Sequence, residues 1–289
     1  MSPLAARLAV LGAALLFSTG GMAIKATQLV GWQVACSRSA VAAAALVALV
    51  PAARPPWSWR TLVVATAQAS TLILFVLANK LTSAANTIFL QSTAPLYVIV
   101  LGPLLLRERI SRRDLSFMAV LVVGLLLFLG DVQAPSATAQ NPTLGNVLAA
   151  LSGLTWALTI MGLRSIGAHG GSATAATQAT ALGNLVAALV TLPFALPFGV
   201  VRPLDVGVIL FLGVVQVGLA YLLLSAGVRH VRAFEVSVLL LAEPALNPLW
   251  AWLVHHETPG PHALAGGGVI LGATLVNAWV DARSPAPAR

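Results

Sequence analysis

Charge is scarce in this chain. Asp, Glu, Lys and Arg make up 8% of its 289 residues, roughly a third of the share usual in soluble domains. Hydrophobic residues make up 58% and mean hydropathy is +0.92, so there is too little polar surface to coat a water-soluble fold of this size. A single cysteine, Cys36, excludes an intrachain disulfide and any cysteine-based metal site. Without a long basic tract or a Pro/Gly-rich run, nucleic-acid binding and disordered scaffolding are poor fits.

Catalytic signatures are missing as well. There is no GxxxxGK[ST] phosphate loop, so ATP does not drive the chain directly. The run His255-His256-Glu257 lacks the i, i+4 histidine pair of a zinc protease, and no GxSxG elbow occurs. Aspartates are too few and scattered for a magnesium-diphosphate site. No cofactor or metal is expected, and an enzyme would have no visible catalytic group beyond Glu243.

What the sequence does have is apolar length. A helix needs about 20 mostly apolar residues to cross roughly 30 Å of hydrocarbon. Ten such windows occur, near 7–27, 31–50, 60–79, 86–106, 112–130, 144–165, 174–198, 204–227, 233–254 and 261–280. The first is followed by others of equal strength and has no convincing cleavage site, so it reads as a retained span. Short connections leave no room for an extramembrane domain. With the N-terminus in the cytoplasm, Arg7, Arg54, Arg60, the four arginines of Arg107–Arg113, Arg164, Arg229, Arg232, Arg283 and Arg289 fall inside. Lys25, Lys80 and Arg202 fall outside, a strong positive-inside asymmetry that also returns the C-terminus to the cytoplasm. Trp32, Trp57, Trp59, Trp250, Trp252 and Trp279 sit near span ends, where indoles favour the headgroup region, whereas Trp156 is mid-span.

The windows repeat. Leu90–Leu96 resembles Leu239–Ala245 at an offset of 149, which also superposes Glu108 on Glu257. Leu15–Lys25 matches Leu154–Arg164 at an offset of 139. Each half then holds five spans, in 1–130 and 144–289, joined by 131–143. An odd number of spans per half forces the second copy to enter from the opposite face. The basic loop Arg107–Arg113 and its counterpart His255–Pro261, which has no Lys or Arg, diverge as loops on opposite sides would. The expected fold is an all-α integral membrane protein of ten transmembrane helices, arranged as two inverted five-helix repeats. Such repeats either enable alternating access around a site at their interface or simply make a stable bundle; the small extramembrane share favours transport.

The mid-span prolines, the terminal glutamates of Pro95–Glu108 and Pro244–Glu257, and the glycine-rich last helix resemble the EamA family of the drug/metabolite transporter superfamily. The likeness spans essentially the whole chain. It implies a ten-helix bundle with a central cavity that exports amino acids, aromatic ones among them, and related metabolites across the bacterial inner membrane. The expected partners are therefore a small amino-acid substrate and membrane lipid, with no nucleic acid. Import or exchange of a nucleotide sugar would need a more basic cavity than Arg38 alone supplies. An intramembrane enzyme or scaffold subunit is the alternative from another class.

Within the spans, Glu243 carries a carboxylate at mid-depth and must face a cavity or a partner. It either binds a proton or a substrate ammonium, or bonds to a neighbouring helix. Arg38 either snorkels outward, pairs with Glu243 or meets a substrate carboxylate. Lys25 and Lys80 reach water and can line the outward mouth. Ser18, Thr19, Gln68, Gln91, Asn184, Gln216 and Asn247 form a polar band at similar depth, with Gln68 and Gln216 equivalent to within one position. Each alone could be interhelical glue, but together they indicate a shared cavity. Trp156 and Tyr97, with Tyr221 deeper, offer aromatic faces for a side chain or an ammonium group. Pro95 and Pro244 free backbone carbonyls and permit hinge bending. Gly268 and Gly272 give a GxxxG spacing suited to helix packing, within the fold or in an oligomer.

Overall fold

The computed structural model describes residues 1–82, 84–107, 110–129, 141–168, 174–246, 250, 261–262, 265–266, 268–269, 272–273 and 276. Its named elements are α1 (Pro3–Ser18), α2 (Gly20–Ala26), α3 (Gly31–Leu49), α4 (Trp59–Leu81), α5 (Ala84–Gln91), α6 (Ala94–Leu105), α7 (Arg112–Leu129), α8 (Pro142–Ala168), α9 (Ala175–Ala195), α10 (Pro203–Leu210), α11 (Ala220–Val228) and α12 (Ala233–Leu239). A 3₁₀ turn covers Pro51–Ala53, and a π-helical stretch, Phe211–Leu219, joins α10 to α11. No strand occurs among the described residues.

Seven segments of the described residues are long and apolar enough to cross a bilayer: Pro3–Ala26, Gly31–Leu49, Trp59–Leu81, Asn86–Leu105, Pro142–Ile166, Ala175–Ala195 and Pro203–Val228. Ten were expected. The fifth window does form a helix, α7, as apolar as the others over most of its 18 residues, but its first turn holds three charges, Arg112, Arg113 and Asp114. The ninth begins as α12, and most of the ninth and tenth windows lie outside the described residues, as do Glu108, Asn247, Trp252, Glu257 and Trp279. Within each of the seven spans, 44–56% of the apolar window is buried inside the bundle. Leu104, Leu126, Leu189 and Phe194 are among the large side chains left exposed, a belt that suits lipid rather than water. The chain is a multi-pass helical membrane protein.

Packing places α4 at the centre of one cluster, against α8 and α9, while α3 lies against α9 and the π-helical stretch. The first span packs on the eighth through α1 and α11, as the third packs on the sixth through α4 and α8. In the same way α12 meets α6. Lipid supplies no hydrophobic drive between helices, so close approach and dispersion hold them. Gly227 shows how close: a Cβ there would lie 2.5 Å from Val10 and 2.7 Å from the Ala6 carbonyl. Nothing lies within 4 Å of a Cβ added at Gly268 or Gly272, so their GxxxG face touches no neighbour among the described residues.

Three spans are interrupted at similar places in the sequence pattern. The first breaks at Thr19, where the Ser18 and Thr19 hydroxyls donate to the Leu15 and Leu16 carbonyls and Gly20-Gly21 follows. The fourth breaks at Ser92-Thr93, just before Pro95, whose ring cannot continue the ladder of α5. Its counterpart turns at Leu240-Leu241 and resumes over 242–246, just around Pro244. Broken helices expose carbonyls inside a membrane only where side chains or a cavity satisfy them.

Candidate functional site

The interruptions of the first, fourth and ninth spans surround a narrow cavity of about 30 Å³, far below the roughly 300–1,000 Å³ usual for small-molecule sites, so a ligand needs the surrounding helices to part. Phe17, Arg38, Thr71, Leu72, Phe75 and Gln91 line it from the first half of the chain, and Trp156, Gln216, Val217, Tyr221 and Glu243 from the second. A still smaller cavity of about 10 Å³ adjoins it, sharing Gln91, Trp156 and Glu243 and adding Ser92, Ala94, Pro95, Ser237, Leu240 and Leu241. Trp156 thus stands on the boundary of both.

One wall is aromatic. Phe17 from α1, Trp156 from α8 and Tyr221 from α11 meet edge to face, with centroids 5.7 Å apart for Phe17–Trp156, 5.1 Å for Phe17–Tyr221 and 5.9 Å for Trp156–Tyr221. Interplanar angles of 76–89° let each ring's positive edge meet a neighbour's negative face, a geometry that fixes all three rings. The Tyr221 hydroxyl makes no hydrogen bond among the described residues and its ring is 2% exposed.

The other walls carry charge. Arg38 is 1% exposed, so it does not snorkel. One Nη donates to the Leu72 carbonyl at 2.9 Å, and its Nε has no acceptor. Glu243 is 7% exposed, with its backbone N–H bonded to the Leu240 carbonyl across the turn before Pro244. Arg38 and Glu243 face the same cavity, yet neither forms an ion pair with any described residue. Removing an ion from water costs on the order of several kcal/mol, so a guanidinium and a carboxyl group that share one cavity without pairing leave hydrogen-bonding capacity for a complement.

Polar groups complete the lining. Gln216 donates from Nε2 to the Phe17 carbonyl at 3.4 Å, an acceptor near the break after α1, while its Oε1 has no partner. The π-helical stretch brings Gln216 here, packed so tightly that a Cβ at Gly20 would lie 2.6 Å from its Nε2. Gln91, the last residue of α5, donates to Ser152 on α8 at 2.9 Å. Thr71 and Thr159 share a hydrogen bond of 3.2 Å across α4 and α8.

Of the residues singled out in the sequence, Arg38, Gln91, Trp156, Gln216 and Glu243 meet at the main cavity, and Pro95 lines the adjoining one. Pro244 follows Glu243 directly. Gln68 lies elsewhere: its amide presses on α9, where a Cβ at Gly183 would be 3.0 Å away, and neither amide atom has a partner. Ser18 is occupied, donating to Leu15 and accepting the Trp250 indole N–H at 2.6 Å. Trp250 is therefore tied to the first span rather than being only a headgroup anchor. Tyr97 packs half-buried against the apolar core and lines neither cavity. Asn184 turns back on its own helix, donating to the Thr180 carbonyl. Lys25 and Lys80 brace the ends of the first and third spans, donating to the Thr82 and Thr27 carbonyls at 3.0 Å each. Phe17, Thr71, Leu72, Phe75 and Val217 also line the main cavity, which nothing in the span pattern predicts for most of them. Only Phe17 left a signal, as the residue before the Ser-Thr-Gly-Gly interruption.

Comparison with known proteins agrees with this architecture. The model of the EamA-like transporter family matches residues 4–130 and 143–279, so the chain belongs to that family. It is 30% identical over 212 residues to an uncharacterized transporter of Archaeoglobus fulgidus, covering 72% of each protein. A crystal structure of a protein superposes with a TM-score of 0.74 at 21% identity, over 96% of this chain and 98% of its own, and so shares the fold.

Proposed function

We propose that this chain is a secondary transporter of the bacterial inner membrane that exports amino acids, aromatic ones among them. In this reading the halves 1–130 and 144–289 are inverted five-helix repeats with both termini in the cytoplasm, and alternating access is their exchange of conformations around the cavity. The observation that carries it is the cavity itself, built from both halves and walled by the Phe17–Trp156–Tyr221 triad beside Arg38 and Glu243. The two family matches and the like pairing of α1 with α11 and α4 with α8 support the repeat. The absence of a phosphate loop in the sequence favours gradient-driven or facilitated movement over ATP hydrolysis.

The triad suits a planar or apolar side chain, because its rings are already held and lose little freedom on binding. Breaks beside Pro95 and Pro244 supply bending points on the two spans whose residues line the adjoining cavity. Purified protein in liposomes loaded with unlabelled phenylalanine should accumulate labelled phenylalanine by counterflow, and Trp156→Ala should lower that rate at least about tenfold. Wild-type counterflow in Trp156→Ala, or none in the wild type, overturns the reading.

A further inference from the structure

We propose that the cavity, once the helices around it part to admit a ligand, grips both ends of a free α-amino acid at once, the carboxylate on Arg38 and the ammonium on Glu243, and so demands the zwitterion. The inference rests on the transporter reading above and specifies the chemistry by which its site selects a ligand.

The donors and acceptors divide accordingly. Arg38 has donors to spare, since one bond to the Leu72 carbonyl uses a single N–H of a guanidinium that carries five. Its backbone is pinned from behind: a Cβ at Gly213 would lie 2.8 Å from the Arg38 carbonyl. The planar fork suits a carboxylate. Glu243 and the unpartnered Oε1 of Gln216 are acceptors, which suit the three N–H donors of an ammonium group. The aromatic triad is left for the side chain. Net charge argues the same way. Arg38, Glu243 and a zwitterion sum to zero, whereas a simple amine or carboxylate leaves one buried charge uncompensated. Sites whose buried polar groups are left unmatched reject the deficient ligand strongly, often by far more than tenfold.

The test uses three ligands that share one side chain: phenylalanine, phenethylamine and 3-phenylpropionate. Their competition against labelled phenylalanine counterflow is measured in liposomes, and their thermal stabilisation of the detergent-solubilised protein provides a second readout that needs no variant. In the wild type, phenylalanine should compete and stabilise at concentrations at least about tenfold lower than either analogue. Arg38→Gln should narrow the gap for phenethylamine alone, and Glu243→Gln for 3-phenylpropionate alone. Equal competition by all three in the wild type overturns the double grip while leaving export of amino acids standing. A parallel loss for all three ligands in both variants, with the folded protein retained, reduces the pair to a structural role and also overturns it. If phenylalanine is neither carried nor bound by stable wild-type protein, the amino-acid reading fails, and this inference with it.

Discussion

The third and eighth spans hold equivalent places in the two halves of the sequence, and each carries one buried glutamine near its middle. Their fates differ. Span three is an uninterrupted α-helix, α4, and Gln68 is buried against α9 with both amide atoms unpartnered. Span eight passes through nine π-helical residues, and Gln216 reaches both the cavity and the Phe17 carbonyl. The difference has a local cause in the partner helices. The first span breaks after Ser18 and presents Phe17 to Gln216, whereas α8, its sequence counterpart, runs unbroken over 27 residues. The same residue type thus becomes an unsatisfied filler in one half and a lining group in the other, and π-helical segments are often found at functional positions.

The largest effect expected from probing this comparison is on packing behind the π-helical stretch. Gly213 sits where the offset of 149 places Val64 in span three. A Cβ at Gly213 would be 2.6 Å from Val41 Cγ1 and 2.8 Å from the Arg38 carbonyl, and neither a β-branched side chain nor backbone yields easily. Gly213→Ala should therefore destabilise the protein by about 1–3 kcal/mol, the usual range for overpacking, seen as a lower thermal midpoint in detergent. An unchanged midpoint would mean that the π-helical stretch yields freely.

Next in size is the glutamine pair itself. Gln216→Leu should cut counterflow about tenfold, or roughly 1.4 kcal/mol, by removing a lining acceptor and the bond to Phe17. Gln68→Leu should leave transport intact and hold or raise the thermal midpoint, because an unpaired buried amide gives way to an apolar group of similar length. Equal loss in both variants would erase the contrast between the spans.

The smallest expected effect concerns the ends of the bundle. At one end Arg7 Nε donates to Glu235 at 2.6 Å, and Arg232 faces Asp114 at 3.2 Å from both Nη atoms, ion pairs that tie the two halves together. At the other end Lys25 and Lys80 donate to carbonyls, Arg202 pairs with Asp205 three residues on within the second half, and Thr82 bonds Asn146. If the ionic end is an openable latch, Arg7→Gln should change counterflow severalfold at most while costing about 1 kcal/mol of stability, and the Arg7→Glu, Glu235→Arg exchange should restore part of both. No recovery in the exchange would assign Arg7 a different partner.

Legibility varied by residue. The mid-span prolines announced the breaks in spans four and nine, because proline removes a backbone donor wherever it stands. Glu243 and Arg38 announced themselves by cost, since buried charge in a membrane needs a reason. Trp156 was found by elimination, as the one tryptophan not near a span end. The sequence carried no comparable mark for Thr71, Leu72 or Phe75, which are ordinary span residues until α4 turns them toward the cavity. Nor could it separate Gln68 from Gln216, or show that Ser18 and Tyr97 point elsewhere.

From the sequence alone follow membrane residence, the helical spans and membership of a transporter family, because hydropathy and repeated motifs are sums over neighbouring residues. Tertiary structure alone decided which polar groups share a space. That choice depends on the rotational phase of each helix, on where its ladder of hydrogen bonds breaks, and on which neighbour fills the gap. Arg38 and Glu243, 205 positions apart, line one cavity only because α3 and the turn before Pro244 are packed into the same bundle.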